Sequence, residues 1–126
     1  MNPLGITPPE QAPVPTVSAD APSVSFELSS LVETWKGKDH TAVLLKTDSL
    51  RVVFRSLCKG NSLSTHKAAG DITVQVLDGR IEFAVGDRTL SLEKGQVLAL
   101  KAGTPHSLTA PQPASILITL AAGPRI

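Results

Sequence analysis

The chain has three histidines, His40, His66 and His106, and they are its best equipped side chains for chemistry near neutral pH. A neutral imidazole offers one N–H donor and one lone pair, so it can bind an oxygen-rich ligand, relay a proton, or coordinate a metal ion. It can also simply hydrogen-bond inside a β-wall. His66 and His106 each sit in a short, turn-flanked segment, whereas His40 follows the polar run Lys36-Gly37-Lys38-Asp39 and reads as a solvated surface residue. Cys58, the single cysteine, ends an apolar run with no base beside it, so it reads as an inert buried thiol without a role. Arg51 and Arg55 share one strand face with Val53 and Leu57; that face is either a solvated edge or an anion-binding wall.

The elements that must position these residues are strands. From Thr41 onward, short apolar or alternating runs are each closed by a turn signal, the rhythm of antiparallel β-structure. The runs are 41–47, 50–58, 72–78, 80–85, 89–93, 96–100, 105–109 and 114–120. Asp48-Ser49, Asp78-Gly79, Gly86-Asp87, Lys94-Gly95 and Ala102-Gly103 supply turns and point to tight hairpins, Asp78-Gly79 most clearly because both positions tolerate positive φ. About eight short strands with almost no helix favour an all-β barrel or sandwich, since parallel sheets need long helical crossovers. Phe26, Leu28, Leu31 and Val32 are spaced for one short helix between Ser25 and Glu33. Six of the ten prolines precede Ser23, so residues 1–24 are expected to form an extended or disordered arm, or one that lies along a neighbouring subunit. Residues 25–126 are expected to form a single barrel domain.

Two motifs in this region resemble those of the cupin superfamily. Cupins carry a first motif of the form G-x5-H-x-H-x3–4-E-x6-G and a second of the form G-x5-P-x-G-x2-H-x3-N. Gly60, His66, Ala68, Ile72 and Gly79 stand at the positions of the first; Gly95, Lys101, Gly103, His106 and Ala110 stand at those of the second. The resemblance covers roughly residues 41–120 and implies a small, single-domain, RmlC-like bacterial cupin: a double-stranded β-helix, or jelly-roll barrel, with a ligand pocket inside. In a strand, residues two apart face the same way, so an H-x-H pair aims both rings into one barrel and an acid on the next strand meets them. Here Ala68 replaces the second histidine and Ile72 the glutamate, while Lys101 replaces the proline and Ala110 the asparagine. The metal motif is therefore degenerate. Divalent ions usually take three or four protein ligands with some compensating negative charge, so His66 and His106 alone imply a metal-free cupin. Iron, manganese, nickel or zinc would require a further ligand such as His40 or Asp71.

Composition narrows the partners. Twelve Lys and Arg against eleven Asp and Glu give a net charge of +1, and Trp35 with three phenylalanines makes no base-stacking platform, so nucleic acid is not an expected partner. No apolar stretch approaches the length of a membrane span, and no basic start precedes an apolar leader-like run. With one cysteine and no metal-binding cysteine spacing, the expectation is a soluble protein of the reducing cytoplasm.

Three functions fit. The first is a small-molecule-binding cupin whose pocket is lined by His66, Ala68, Ile72, Val74, Val76 and His106, with the histidines as polar contacts and the aliphatics as walls. The second is a metal-dependent dioxygenase or isomerase using His66 and His106. The third is a structural or regulatory module, since cupins commonly pair through sheet edges; a homodimer is expected in any case. Gln75 and Thr73 alternate with the inward set and are expected to face outward.

Overall fold

A computed structural model describes residues 22–121. The expected arm, residues 1–24, lies outside the described residues except for 22–24. One helix and nine strands follow in order: α1 Leu28–Trp35, β1 His40–Lys46, β2 Leu50–Leu57, β3 Ser62–His66, β4 Ile72–Asp78, β5 Arg80–Val85, β6 Arg88–Glu93, β7 Val97–Leu100, β8 His106–Thr109 and β9 Ala114–Ala121. They form a five-stranded sheet, ordered β1-β2-β9-β4-β7, and a four-stranded sheet, ordered β3-β8-β5-β6. All the pairings are antiparallel. The fold is an all-β jelly roll, as the resemblance implies. No helix among the described residues is long and apolar enough to cross a membrane.

Alternation along the strands builds the core. Leu57, Ile72, Val74, Val76, Leu100 and Ile116 of the first sheet pack against Ile81, Phe83, Leu92 and Leu108 of the second. Burying each of these side chains fully stabilises the fold by about 1.5–3 kcal/mol. The other face of the five-stranded sheet is apolar too, because Ala42, Leu44, Phe54, Val52, Leu77 and Leu117 receive Leu28, Leu31, Val32 and Trp35 from α1. Those four helical residues recur at i, i+3, i+4 and i+7, one stripe of an α-helix. The helix thus starts and ends later than the expected 25–33 span: Phe26 precedes it and is exposed, and Trp35 closes the stripe.

The turns divide into two kinds. Asp48-Ser49 and Gly86-Asp87 close true hairpins, β1–β2 and β5–β6. Asp78-Gly79, Lys94-Gly95 and Ala102-Gly103 do not, contrary to expectation: β4 pairs with β7 and β9 while β5 pairs with β6 and β8, so these turns carry the chain from one sheet to the other. The local chemistry of a turn sets a positive φ but does not select the partner strand. Gly79, at φ +79°, needs its hydrogen for another reason as well, since a Cβ there would press on the backbone of Pro113 and Ala114.

The connections also define two ends. Segments 58–61, Gly79, 94–96 and 110–113 pass at one end, which is closed by Leu57, Ile81 and Ala114. The hairpin tips and the crossovers 67–71 and 101–105 pass at the other, where both crossovers join β3 to β4 and β7 to β8. The crossovers are tied together: the Gly103 N–H donates to the Ala68 carbonyl at 2.9 Å and the Ala102 N–H to Asp71 Oδ1 at 2.8 Å.

Candidate functional site

His66 ends β3 and His106 begins β8, and the two residues face each other as register partners across that strand pair. β3 is absent from the strands expected from sequence. Its residues, Ser62-Leu63-Ser64-Thr65-His66, include one aliphatic side chain and lie on an exposed sheet edge, so neither alternation nor burial marks them. The imidazole centroids are 4.2 Å apart with planes at 62°, an edge-to-face pair. His106 is 5% exposed and its other face lies nearly parallel to Phe83, at 5.5 Å and 11°. His66 is exposed. The pair therefore sits at the crossover end, with one ring sunk into the wall against Phe83 and the other at the lip.

The hydrogen bonds fix the tautomers. Nδ1 of His66 lies 2.9 Å from the Ser64 carbonyl oxygen, and Nδ1 of His106 lies 2.9 Å from the Thr104 carbonyl oxygen. A carbonyl oxygen only accepts, so both Nδ1 atoms carry hydrogen and donate, and in the neutral rings both Nε2 atoms keep a lone pair. The two rings are therefore alike in the site and do not form a pair in which one donates and the other accepts. Two neutral rings locked in this way present two acceptors. They suit a ligand that brings hydroxyl, amine or other N–H donors.

The same tautomer is the one that ligates metals through Nε2, but the surrounding donor set is incomplete. Among the described residues no cluster of three or more His, Cys, Asp or Glu side chains could hold an ion. His40, proposed as a further ligand, pairs in register with Ser56 on the outward side of the sheet, where its ring stacks on Trp35 at 3.6 Å and Ser56 Oγ donates to the Trp35 carbonyl. Asp71 accepts the Ala102 N–H. Neither joins the histidine pair, and two imidazoles alone do not fit a resident divalent ion.

The remaining expected pocket residues lie around one core. Ile72, Val74 and Val76 face the space between the sheets and are 6%, 2% and 1% exposed, and Ala68 packs against their cluster. Val74 and Val76 are committed to core packing, while Ile72, level with Leu100 and Leu120, stands at the crossover end. Thr73 and Gln75 face outward. A groove of about 530 Å³ opens at this end, lined by Ile72 and Leu100 together with the outward-facing Thr73, Ala99 and Thr119 among others; neither histidine lines it.

Cys58 is not isolated. Its Sγ donates to Asp39 Oδ2 at 3.1 Å and its N–H to Asp39 Oδ1 at 3.0 Å, while the Asn61 amide donates to Oδ1 at 2.6 Å. These bonds, those from Cys58 foremost, hold the Asp39 carboxyl below its ordinary value, with a smaller contribution from the charge of Arg55. The bond to Asp39, followed by burial and the carboxylate charge, pushes the Cys58 thiol up. A raised thiol is a poor nucleophile at neutral pH, and Cys58 is half-buried and hydrogen-bonded to a residue 19 positions away, a partner the sequence does not display.

Comparison with known proteins agrees with this architecture. The cupin domain model (Cupin_2) matches residues 56–120. Among solved structures, a cupin superfamily protein of Desulfitobacterium hafniense is 21% identical, with 88% of this chain and 99% of that one aligned at a TM-score of 0.71. A conserved protein of unknown function from Streptococcus pyogenes is 27% identical over 71% of this chain and 78% of its own, at 0.64. A cupin 2 conserved barrel domain protein of Leptotrichia buccalis is 33% identical over 76% of this chain but 47% of its own length, at 0.68. No curated protein matches. With a family model spanning more than half its length and the jelly roll built around the matched residues, the chain belongs to the cupin family.

Proposed function

We propose that this cupin binds a small, hydroxylated organic molecule at the crossover end of its barrel, without a resident metal. The observation that carries the reading is the pair of imidazoles 4.2 Å apart, each with Nδ1–H committed to a backbone carbonyl and Nε2 free to accept. Hydroxyl donors on one ligand satisfy both lone pairs, and the surrounding aliphatic side chains together with Phe83 supply an apolar wall.

The test is an NMR titration of the full chain with erythritol, an uncharged polyol, and with malate. Saturable shifts at His66, His106 and Phe83 that vanish in His66→Ala and His106→Phe support the reading. Shifts unchanged by both substitutions, or none at millimolar ligand, overturn it. The lone-pair tautomer also favours a second reading, a metal-dependent cupin enzyme whose ion takes its remaining ligands from the substrate. Stoichiometric metal in the purified protein, lost in the His66→Ala/His106→Ala double variant, would install that reading in place of the first.

A further inference from the structure

We propose that the inner face of β2 is an anion-binding wall, and that the ligand class of this cupin is the hydroxylated diacid. The proposal rests on the reading of the histidine pair as a ligand site and adds the ligand's charge. Its basis is the register. Arg51 stands opposite Leu120, Val53 opposite Ile118 and Arg55 opposite Ile116, and those three β9 residues belong to or pack against the core between the sheets. Phe54 and Val52 point the other way, under α1. Arg51 and Arg55 are therefore on the barrel's inner side, the side that an anion-binding wall requires.

Both arginines are half-buried, and the Nε atom of each is buried without a hydrogen-bond partner. Arg55 Nη1 donates to Thr41 Oγ1 at 2.8 Å, a neutral partner that holds the side chain in place. No carboxylate among the described residues forms an ion pair with either guanidinium. Asp39, which feels the charge of Arg55, is itself occupied by Cys58 and Asn61. By register Thr41 and Lys46 of β1 share the face of the arginines and Arg88 of β6 that of Val85, while the core between the sheets is aliphatic apart from Phe83 and the two imidazoles and, among the described residues, holds no carboxylate. Half-burying two cations without a counter-charge is costly, and an anion bound between the sheets offsets that cost.

Position fixes the ligand's shape. Arg51 is level with Leu120 and Ile72, at the same end as His66 and His106; Arg55 lies four residues deeper, about 13 Å along the strand. That distance separates the backbone anchors; the long side chains let the two guanidiniums converge on two anionic groups of one small molecule. Hydroxyls between or beside those groups meet the Nε2 acceptors.

The experiment uses the full chain with malate, succinate, inorganic phosphate and erythritol, in wild type and in Arg51→Gln, Arg55→Gln and, as a control exposed in the 58–61 connection at the opposite end, Lys59→Gln. Malate is expected to bind, each inner substitution to weaken it about tenfold or more, and Lys59→Gln to leave it unchanged. Succinate is expected to bind more weakly than malate but with the same arginine dependence. If phosphate binds as tightly as malate through the same arginines, the anion wall stands and the diacid assignment falls in favour of phosphate esters. If erythritol binds at the histidines as well as malate does, and Arg→Gln changes nothing, the wall is overturned while the pocket survives. Arginine-dependent malate binding that ignores His66→Ala and His106→Phe would do the reverse. Absence of any anion binding to wild type overturns the proposal.

Discussion

Replacing Gly79 by alanine should damage this fold more than replacing any other of the six described glycines with positive φ, because of the corner it occupies. At φ +79° an L-residue pays the left-handed penalty, about 1–2 kcal/mol. The new Cβ would also lie 2.9 Å from Ala114 Cα and 3.1 Å from the Pro113 carbonyl carbon, with the Pro113 oxygen closer still. All three are backbone atoms of the 110–113 connection and the start of β9, which cannot rotate aside, so an overpacking cost of about 1–3 kcal/mol is added. Gly95 is the internal reference: its φ is +92° and a Cβ there meets nothing within 4 Å, leaving the conformational cost alone. Gly79→Ala should therefore be about 1–3 kcal/mol less stable than Gly95→Ala, a gap on the order of 10 °C in Tm for a domain of this size. Urea unfolding followed by the fluorescence of Trp35, the single tryptophan, measures both. Equal stability of the two variants would refute the close approach of the β4–β5 corner to β9.

Three further outcomes are expected. Asp39→Asn should lower the Cys58 thiol towards its ordinary value of 9.0 and speed alkylation by iodoacetamide at about pH 8; an unchanged or slower rate would contradict the Asp39–Cys58 bond. That bond also carries a pH signature. The lowered Asp39 contributes stability above its ordinary 3.8 that is lost as pH falls through the folded value, and the raised Cys58 contributes stability below 9.0 that is lost as pH rises through the folded value. The Tm difference between wild type and Asp39→Asn should accordingly be largest between those limits and shrink on both sides. Finally, nitrogen-detected NMR of the neutral imidazoles should show the Nδ1–H tautomer in both His66 and His106, and a ring protonated at Nε2 instead would break the argument from two acceptors.

What the sequence displays and what it conceals follow from the same alternation. Strands β4 and β5 are legible because their apolar residues are buried on the face that alternation picks out, as in the buried-exposed pattern of Ile72 to Val76, and β9 because it is a continuous apolar run packed on both faces. β3 is concealed because an edge strand with one aliphatic residue has little burial to signal it. For β2 the period is visible but the sense is not. Phe54 and Val52 are as apolar as Val53 and Leu57, because α1 covers one face and the second sheet the other, so no local rule says which side of the strand holds the arginines. The hairpin expectation at Asp78-Gly79 fails for a related reason, partner choice being decided by the sheets and not by the turn. The histidine spacing was readable through the family resemblance. The tautomers were not, since each depends on a carbonyl oxygen brought to 2.9 Å by the fold.

The bonds from Gly103 to Ala68 and from Ala102 to Asp71 couple two stretches of chain distant in sequence into one rim. Any attempt to re-specify what this protein recognises, by grafting or lengthening a loop there, must alter 67–71 and 101–105 as a unit. Changing one alone strands the donors and acceptors of the other. The opposite end, where Gly79 meets Pro113 and Ala114, can stay untouched as the chassis for such exchanges.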